Sequence, residues 1–555
     1  MTGMGARAHG VAIAAVLGAA AALLFSRLGA VYLWQDEALT AILGERMMRH
    51  GKPLSWDGVN VVTQDNFAAE DFASIDGRTG SAEAAIGYFK ARGDFKEDTT
   101  WVLHPWGQFL AAGLSLAALG HGTWQARLPF ALAAFCTVLL LYMYAARAFA
   151  SRSVALVAAL LLTGNSYWIL HARQCRYYAL SSLALLLSVA AWDRWQRGGR
   201  FGAAAFAAAG FFYFQVEFGS FFPSMAVLAA LAVAAAWPRP LRALRVFAAL
   251  AAAVAPFAWY YELYGRRFAS LISWRTRFVG NLFNMNQYLV ALPIVAVGAW
   301  MLWRRRDVLP ARQREVLVAT VALIAVMLVW VPSVAPFHYH RYIVQLTPLA
   351  ALLVAWTAGQ IADRCAPSWR TPALAGCIAL AALSALPSWP VTAAILAIEY
   401  PDQFDGSLAE SVTRSELLDA GREIFEERPD PNRATVEFLQ ARLRSGDEVI
   451  TNYEDFPLMF YTGARIRGGI SAFRVEDRSA PPARFLVLRK SVPFGYWPVY
   501  RREARRWKWR FSGAGGPDVP FGNNPDPSVV GRQALDRELV IGEFAGEADL
   551  PAAAR

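Results

Sequence analysis

Apolar residues in this chain gather in blocks of about 16 to 22 residues, separated by short basic stretches. Blocks of that length cross the hydrocarbon core of a bilayer as helix. The pattern predicts spans near 10–30, 127–146, 153–170, 177–193, 201–217, 220–237, 243–262, 287–303, 314–332, 341–362 and 371–396. One more apolar helical segment, 104–119, decides the topology, because counting it as a span moves every later loop to the other side.

Loop charge arbitrates, since arginine and lysine concentrate on the cytoplasmic side. With Arg7 inside and 104–119 not spanning, four loops and one cluster are cytoplasmic. They are Arg147/Arg152, Arg194/Arg197/Arg200, Arg239/Arg242/Arg245, Arg304/Arg305/Arg306 with Arg312/Arg314, and Arg364/Arg370. The opposite parity puts all of them outside, so 104–119 is expected to be an interfacial or re-entrant helix. The outer face then receives the loop 31–126, the turn 171–176, the loop 263–286, the turn 333–341 and the tail 397–555. The inner loops are short and merely basic, so the chemistry is expected outside.

Near Tyr400 charged, Pro- and Gly-containing sequence replaces the apolar blocks. Thr435 to Arg444 has the pattern of an amphipathic helix, and Glu448 to Asn452 and Phe485 to Leu488 read as short strands. The expected organisation is a membrane domain, 1–399, that includes the loop 31–126, and a small extracytoplasmic α/β domain, 400–555. No repeat of solenoid period and no low-complexity tract interrupts it. The stretch Val11 to Phe25 after Arg7 has the look of a signal peptide, but the many spans beyond it favour a retained first helix.

Composition narrows the picture. At 56% hydrophobic and 17% charged residues, soluble folding of the first 400 positions is excluded. The net charge of +11 follows the loop arginines, so no nucleic-acid partner is expected; the basic and aromatic stretch Arg501 to Arg510 reads as a solvated or headgroup-facing surface. Cys136, Cys175, Cys365 and Cys377 show neither CxxC nor metal spacing and imply no disulfide framework. The Ala- and Arg-rich composition suits a bacterial inner-membrane protein.

Five places carry candidate chemistry. Trp34-Gln35-Asp36-Glu37-Ala38 follows the first span directly, setting two adjacent carboxylates at an interface. An ordinary helix N-terminus, where acids favour the macrodipole, accounts for the same pair. His104-Pro105-Trp106 opens the interfacial segment; Pro105 suits a first helical turn, and His104 either orients a substrate or caps the helix. In the run from His171 to Tyr178, three potential cations, His171, Arg173 and Arg176, meet two tyrosines. Arginine offers a planar fork that pairs with phosphate, and the competing reading is an aromatic belt with snorkelling arginines. Glu217, after Gln215, is an acid in apolar surroundings, suited to an acceptor, a metal or a helix partner. His338-Tyr339-His340-Arg341-Tyr342 opens a late span and suits a phosphate oxyanion; two alternating histidines leave a metal open.

With Arg127-Leu128-Pro129 opening the next span, this ordered set over roughly 10–350 resembles the GT-C membrane glycosyltransferases. The likeness is to the family 39 branch, which includes the protein O-mannosyltransferases and the lipid A aminoarabinose transferases. The resemblance implies a polytopic α-helical GT-C fold of about 11–13 transmembrane helices. By that resemblance Asp36 is the catalytic acid and Glu37 its neighbour, Arg176 with Tyr178 faces the donor, and Arg341 with Tyr342 lies near the carrier phosphate. Two departures stand out: Trp106 replaces a second proline, and Glu217 falls about where many members have a histidine.

The implied reaction moves a sugar from a polyprenyl-phosphate donor to a lipid, glycan or protein acceptor. Phosphate is a good leaving group, so the site needs a base, Asp36, and cations, Arg173, Arg176 and Arg341, for the developing charge. His104, His338 and His340 complete the donor-side set; no cofactor is required, and a divalent metal stays open. A single displacement inverts the anomeric centre. The rival readings are a transporter or lipid flippase, which predicts broken helices and symmetry between halves, and a scaffold whose tail binds a partner.

Overall fold

Alanine and leucine lose little on entering a helix, and the apolar blocks they dominate fold accordingly. The computed structural model describes residues 6–63, 81–93, 95–263, 273–286, 292–335, 340–383, 391, 393–394, 397, 416–427, 429–469, 471–489, 497–518 and 538–547. In chain order come α1 (Ala6–Phe25), α2 (Gln35–His50), α3 (Ala82–Arg92), α4 (Gly107–Leu119), α5 (Thr123–Phe149), α6 (Arg152–Thr163), α7 (Ser166–Ala172), α8 (Tyr178–Gln196) and α9 (Gly202–Val216). There follow α10 (Phe218–Ala235), α11 (Leu241–Tyr260), α12 (Trp274–Asn284), α13 (Leu292–Arg305), α14 (Ala311–Val334), α15 (Thr347–Ala362), α16 (Arg370–Leu383) and α17 (Glu416–Phe425). The tail continues with α18 (Pro431–Gln440), β1 (Glu448–Thr451), α19 (Asp455–Thr462), β2 (Arg465–Gly468), β3 (Phe485–Val487), α20 (Trp497–Arg506), β4 (Trp507–Pro517) and β5 (Glu538–Glu547). Residues 1–27 and 130–426 form one compact unit, and 28–129 and 427–555 a second.

In the first unit, helices long and apolar enough to cross a membrane are α1, α5, α10, α11, α14 and the stretch 344–362 that contains α15. The pair α6 and α7 passes the same test as one span bent by 66°. At that bend the Asn165 side chain accepts from the Trp168 amide at 2.8 Å and restarts the helix. The protein is thus a multi-pass membrane protein. The stretches 177–193, 201–217 and 287–303, expected as spans, hold the helices α8, α9 and α13, which are not among those long and apolar enough to cross, and the described part of 371–396 begins as α16. Helix α15 is the centre of the unit, buried along nearly its whole length against α6, α13, α14 and α16. Being apolar all round, it has no face that needs water. Asp193, near the end of α8, is a buried node that binds Arg197 at 2.8 Å and Arg312 at 2.6 Å, tying two basic loops together.

The second unit is built on a five-stranded sheet of order β2-β1-β3-β5-β4. Strands β2, β1 and β3 run parallel, β5 adds antiparallel to β3, and β4 antiparallel to β5. Ile450, Val475, Leu486, Val499 and Tyr500 fill its core. Helix α18 begins four residues before the expected Thr435, because Asp430 caps it, accepting from the Arg433 amide at 3.0 Å, and Pro431 follows the cap. The expected strands at 448–452 and 485–488 are β1 and β3. The loop 28–129 packs into this unit: Val61, Ala85, Phe89 and Phe95 form one cluster with Phe473. Asn60 extends the edge of β2, donating to the Ala464 carbonyl and accepting from the Ile466 amide, both at 2.9 Å.

The segment expected at the interface, 104–119, is α4. Its 13 residues extend only about 20 Å, short of a hydrocarbon core. It crosses α2 where Gly44 meets Gly113. A Cβ on Gly113 would lie 2.5 Å from the Gly44 carbonyl oxygen, so the two backbones touch.

Candidate functional site

The acidic pair occupies the first turn of α2, where the unpaired amides favour negative charge. Successive helical residues point about 100° apart, so the two carboxylates separate. Glu37 turns inward and is wholly buried. Arg127 of α5 binds it with both arms of the fork, Nε to Oε1 at 2.8 Å and Nη2 to Oε2 at 2.6 Å. The same guanidinium donates to the carbonyls of Leu28 and Val31 at 2.9 and 2.8 Å. Asp36 is the less buried of the two. Of the two acids, Asp36 is therefore the one presented, while Glu37 fixes the turn that presents it.

His104 stacks on Trp101, with centroids 5.8 Å apart and planes 3° from parallel. Trp106, the departure from a second proline, donates its indole N–H to the Trp101 carbonyl at 3.0 Å and so closes the turn before α4. In the tail, Asp455 accepts from the Gln35 amide at 2.6 Å, and Glu454 accepts from Asn432 at 3.2 Å. Burial pushes the Glu454 carboxyl up to about 8 and that of Asp455 to about 6.

The other candidates belong to the first unit. The turn between α7 and α8 carries His171, whose Nδ1 donates to the Tyr167 carbonyl at 2.8 Å. The Arg176 guanidinium lies over Tyr177, 5.7 Å from the ring centroid. Tyr177 is 4.7 Å from Tyr178, which meets His171 edge-on at 5.3 Å. Arg176, Glu217 and Tyr342 all act electrostatically on Tyr177, and Arg341 acts on His171. Arg176, Tyr178, Glu217, Arg341 and Tyr342, from three separate stretches of the sequence, are thus gathered around Tyr177 and His171. His171 enters the sequence reading only as a potential cation and Tyr177 only as one of two tyrosines, because an aromatic belt produces the same letters.

Two candidates have structural employment. Arg173 donates to the carbonyls of Leu23 and, at 2.6 Å, Ser26, capping the C-terminal end of α1. These contacts give Arg173 a structural role as a helix cap. Glu217 is the N-cap of α10: its carboxylate accepts from the amides of Gly219 and Ser220, both at 2.7 Å. This cap marks the sharp break between α9 and α10. His338 and the side chain of His340 lie outside the described residues. Among the described residues, no three or more His, Cys, Asp or Glu side chains gather as metal ligands.

No model of a known protein family matches this sequence, and no curated protein matches it. Among solved structures, ArnT from Cupriavidus metallidurans bound to undecaprenyl phosphate is similar with a TM-score of 0.56 at 13% identity, over 96% of this chain and 97% of that one. The apo state of the same protein gives a TM-score of 0.55 at 14% identity over the same shares. The likeness is one of fold. The chain has the GT-C fold, with a small C-terminal sheet domain.

Proposed function

We propose that this chain is a glycosyltransferase that moves a sugar from a polyprenyl phosphate to a lipid, glycan or protein acceptor at the extracytoplasmic face of a bacterial inner membrane. The observation that carries this reading is the cluster of Arg176 and Arg341 with Tyr177, Tyr178 and Tyr342. Two guanidinium groups and three phenols suit a phosphate monoester, whose oxygens accept from planar forks and hydroxyls. That a protein of the same fold binds undecaprenyl phosphate supports it.

In this reading Asp36 takes the proton of an acceptor hydroxyl as its oxygen attacks the anomeric carbon. The bond from that carbon to the carrier oxygen breaks, and its electrons pass to the phosphate, where Arg176 and Arg341 stabilise the charge. His104, Tyr178 and Tyr342 are assigned to orient the donor. Glu37 holds Asp36 in place through Arg127. A single displacement inverts the anomeric centre, and no second carboxylate across the bond is needed, unlike in glycoside hydrolysis.

The test is a transfer assay in native membranes with a panel of radiolabelled polyprenyl-phosphate sugars, comparing wild type with Asp36→Asn. Loss of a general base lowers the rate by about 10²–10⁴. Full transfer by a folded Asp36→Asn variant would rule out this mechanism. No transfer by folded wild type from any donor would count against the enzyme class and favour transport.

A further inference from the structure

Parallel α/β sheets bind ligands outside the carboxyl ends of their strands, where neighbouring connections leave in opposite directions. Strand β1 lies between β2 and β3, and its connection through α19 leads to β2 on one side only. The crevice at its carboxyl end is lined by Asn452, Glu454, Asp455 and Arg489, all buried. Asn452 bridges the two strand ends, accepting from the Arg489 amide at 2.7 Å and donating to its carbonyl at 3.2 Å. Arg489 in turn pairs with Asp518 at 2.8 Å. The chain's own segment Tyr32 to Gln35 reaches into this end of the sheet.

Tyr32, Leu33 and Gln35 are held by the tail. The Tyr32 amide donates to Asp430 at 2.7 Å, and the Leu33 amide to the Tyr461 hydroxyl at 2.9 Å. Asn432 donates to the Leu33 carbonyl at 3.2 Å. Gln35 is engaged at both ends, donating to Asp455 at 2.6 Å and accepting from the Phe456 amide at 3.4 Å. Asp455 fits only because Gly469 faces it: a Cβ there would lie 2.5 Å from the carboxylate. The next residue after this segment is Asp36.

We infer that Asp455 and Gln35 form a positioning clamp through which the tail sets the direction of Asp36, the proposed base. The inference rests on the glycosyltransferase reading for its catalytic consequence, though not for the clamp itself. A buried carboxylate that accepts a short hydrogen bond from an amide locks that amide's rotamer, and with it the first turn of α2. The high affinity of Asp455 for its proton does not release the clamp, since a carboxylic acid retains a carbonyl oxygen that accepts from Gln35.

The experiment uses the full chain in detergent, with Asp455→Ala, Gln35→Met, the double variant and the conservative Asp455→Asn. Expected is a fall in kcat of roughly 10–100-fold with the donor KM unchanged, as for a misplacement of about 1 Å. The double variant should lose no more than the more impaired single, because both substitutions break the contact between Gln35 and Asp455. Asp455→Asn keeps an acceptor oxygen and should restore most of the rate. Amide hydrogen exchange at residues 32–38 should quicken in Asp455→Ala and stay slow in Asp455→Asn. Wild-type kcat with unchanged exchange, in a stable Gln35→Met or Asp455→Ala protein, would overturn the clamp, as would multiplicative losses in the double variant. An inactive Asp36→Asn beside a fully active Asp455→Ala would remove the clamp and leave the base assignment standing. A fully active Asp36→Asn would remove the base assignment, and exchange at 32–38 would still decide the clamp.

Discussion

Arg127 holds both carboxylate oxygens of Glu37, at 2.8 and 2.6 Å, from 90 residues further along the chain. Glu37 is wholly buried, and removing one partner leaves a charge in a poorly polarisable surrounding. Arg127→Ala is expected to lower stability by about 3–5 kcal/mol, and Glu37→Gln by less. Thermal unfolding in detergent measures both. A double variant as unstable as the sum of the singles would show that the pair does not act together.

The crossing of α2 and α4 permits a sharper test. Gly113→Ala inserts a methyl 2.5 Å from the Gly44 carbonyl oxygen, and backbone cannot step aside as a flexible side chain would. Overpacking of this kind lowers stability by about 1–3 kcal/mol. Gly87→Ala on α3, where a Cβ meets nothing within 4 Å, is the control and should stabilise slightly. Equal midpoints for the two variants would contradict the contact.

Glu454 and Asp455 make stability depend on pH in a definite direction. Their ordinary values are 4.5 and 3.8, and burial raises them to about 8 and about 6. Between those limits the native chain holds more protons than the unfolded one, so stability falls as pH rises. The contribution is complete below about pH 4, is lost up to about 6 for Asp455 and about 8 for Glu454, and is level beyond. Arg489 opposes the shift of Glu454, and Asp455 adds to it. The unfolding midpoint of wild type should therefore drop between pH 4 and 8. A variant with Asp455→Asn and Glu454→Gln should show a flatter profile over the same range, and identical slopes would refute the assignment.

Arg176 and Glu217 should separate activity from stability. Arg176→Ala is expected to lower transfer by about 10²–10³, as for removal of one oxyanion donor, with little change in the unfolding midpoint. Glu217→Ala removes the cap of α10 and should lower stability by about 0.5–2 kcal/mol, with a smaller loss of rate. Paired measurements of kcat and midpoint on both variants decide it, and the reverse pattern would exchange their roles.

The membrane helices were legible because lipid tolerates few backbone solutions, and a helix announces itself by length and apolarity. The acidic pair after the first span was legible by place, though only packing shows that Asp36 and Glu37 part company. Strand β4 was not legible: Trp507 to Phe511 alternates aromatic with basic residues and reads equally as a solvated patch, and only pairing with β5 makes it a strand. The docking of Gln35 on Asp455 bridges 420 residues. No periodicity encodes such a contact, and Asp455 stands among many acids of the tail. Arg173 was legible by its charge alone, and only packing shows that it also caps α1, donating to the carbonyls of Leu23 and Ser26.

The crevice at the carboxyl end of β1 that residues 32–35 occupy bears on how such chains can be recombined. A tail moved onto another membrane body would arrive with its crevice empty, and the host loop would lack the residues that fit it. Chimaeras should therefore succeed only when 28–129 and 427–555 travel together, so that heredity treats two distant stretches as one cassette.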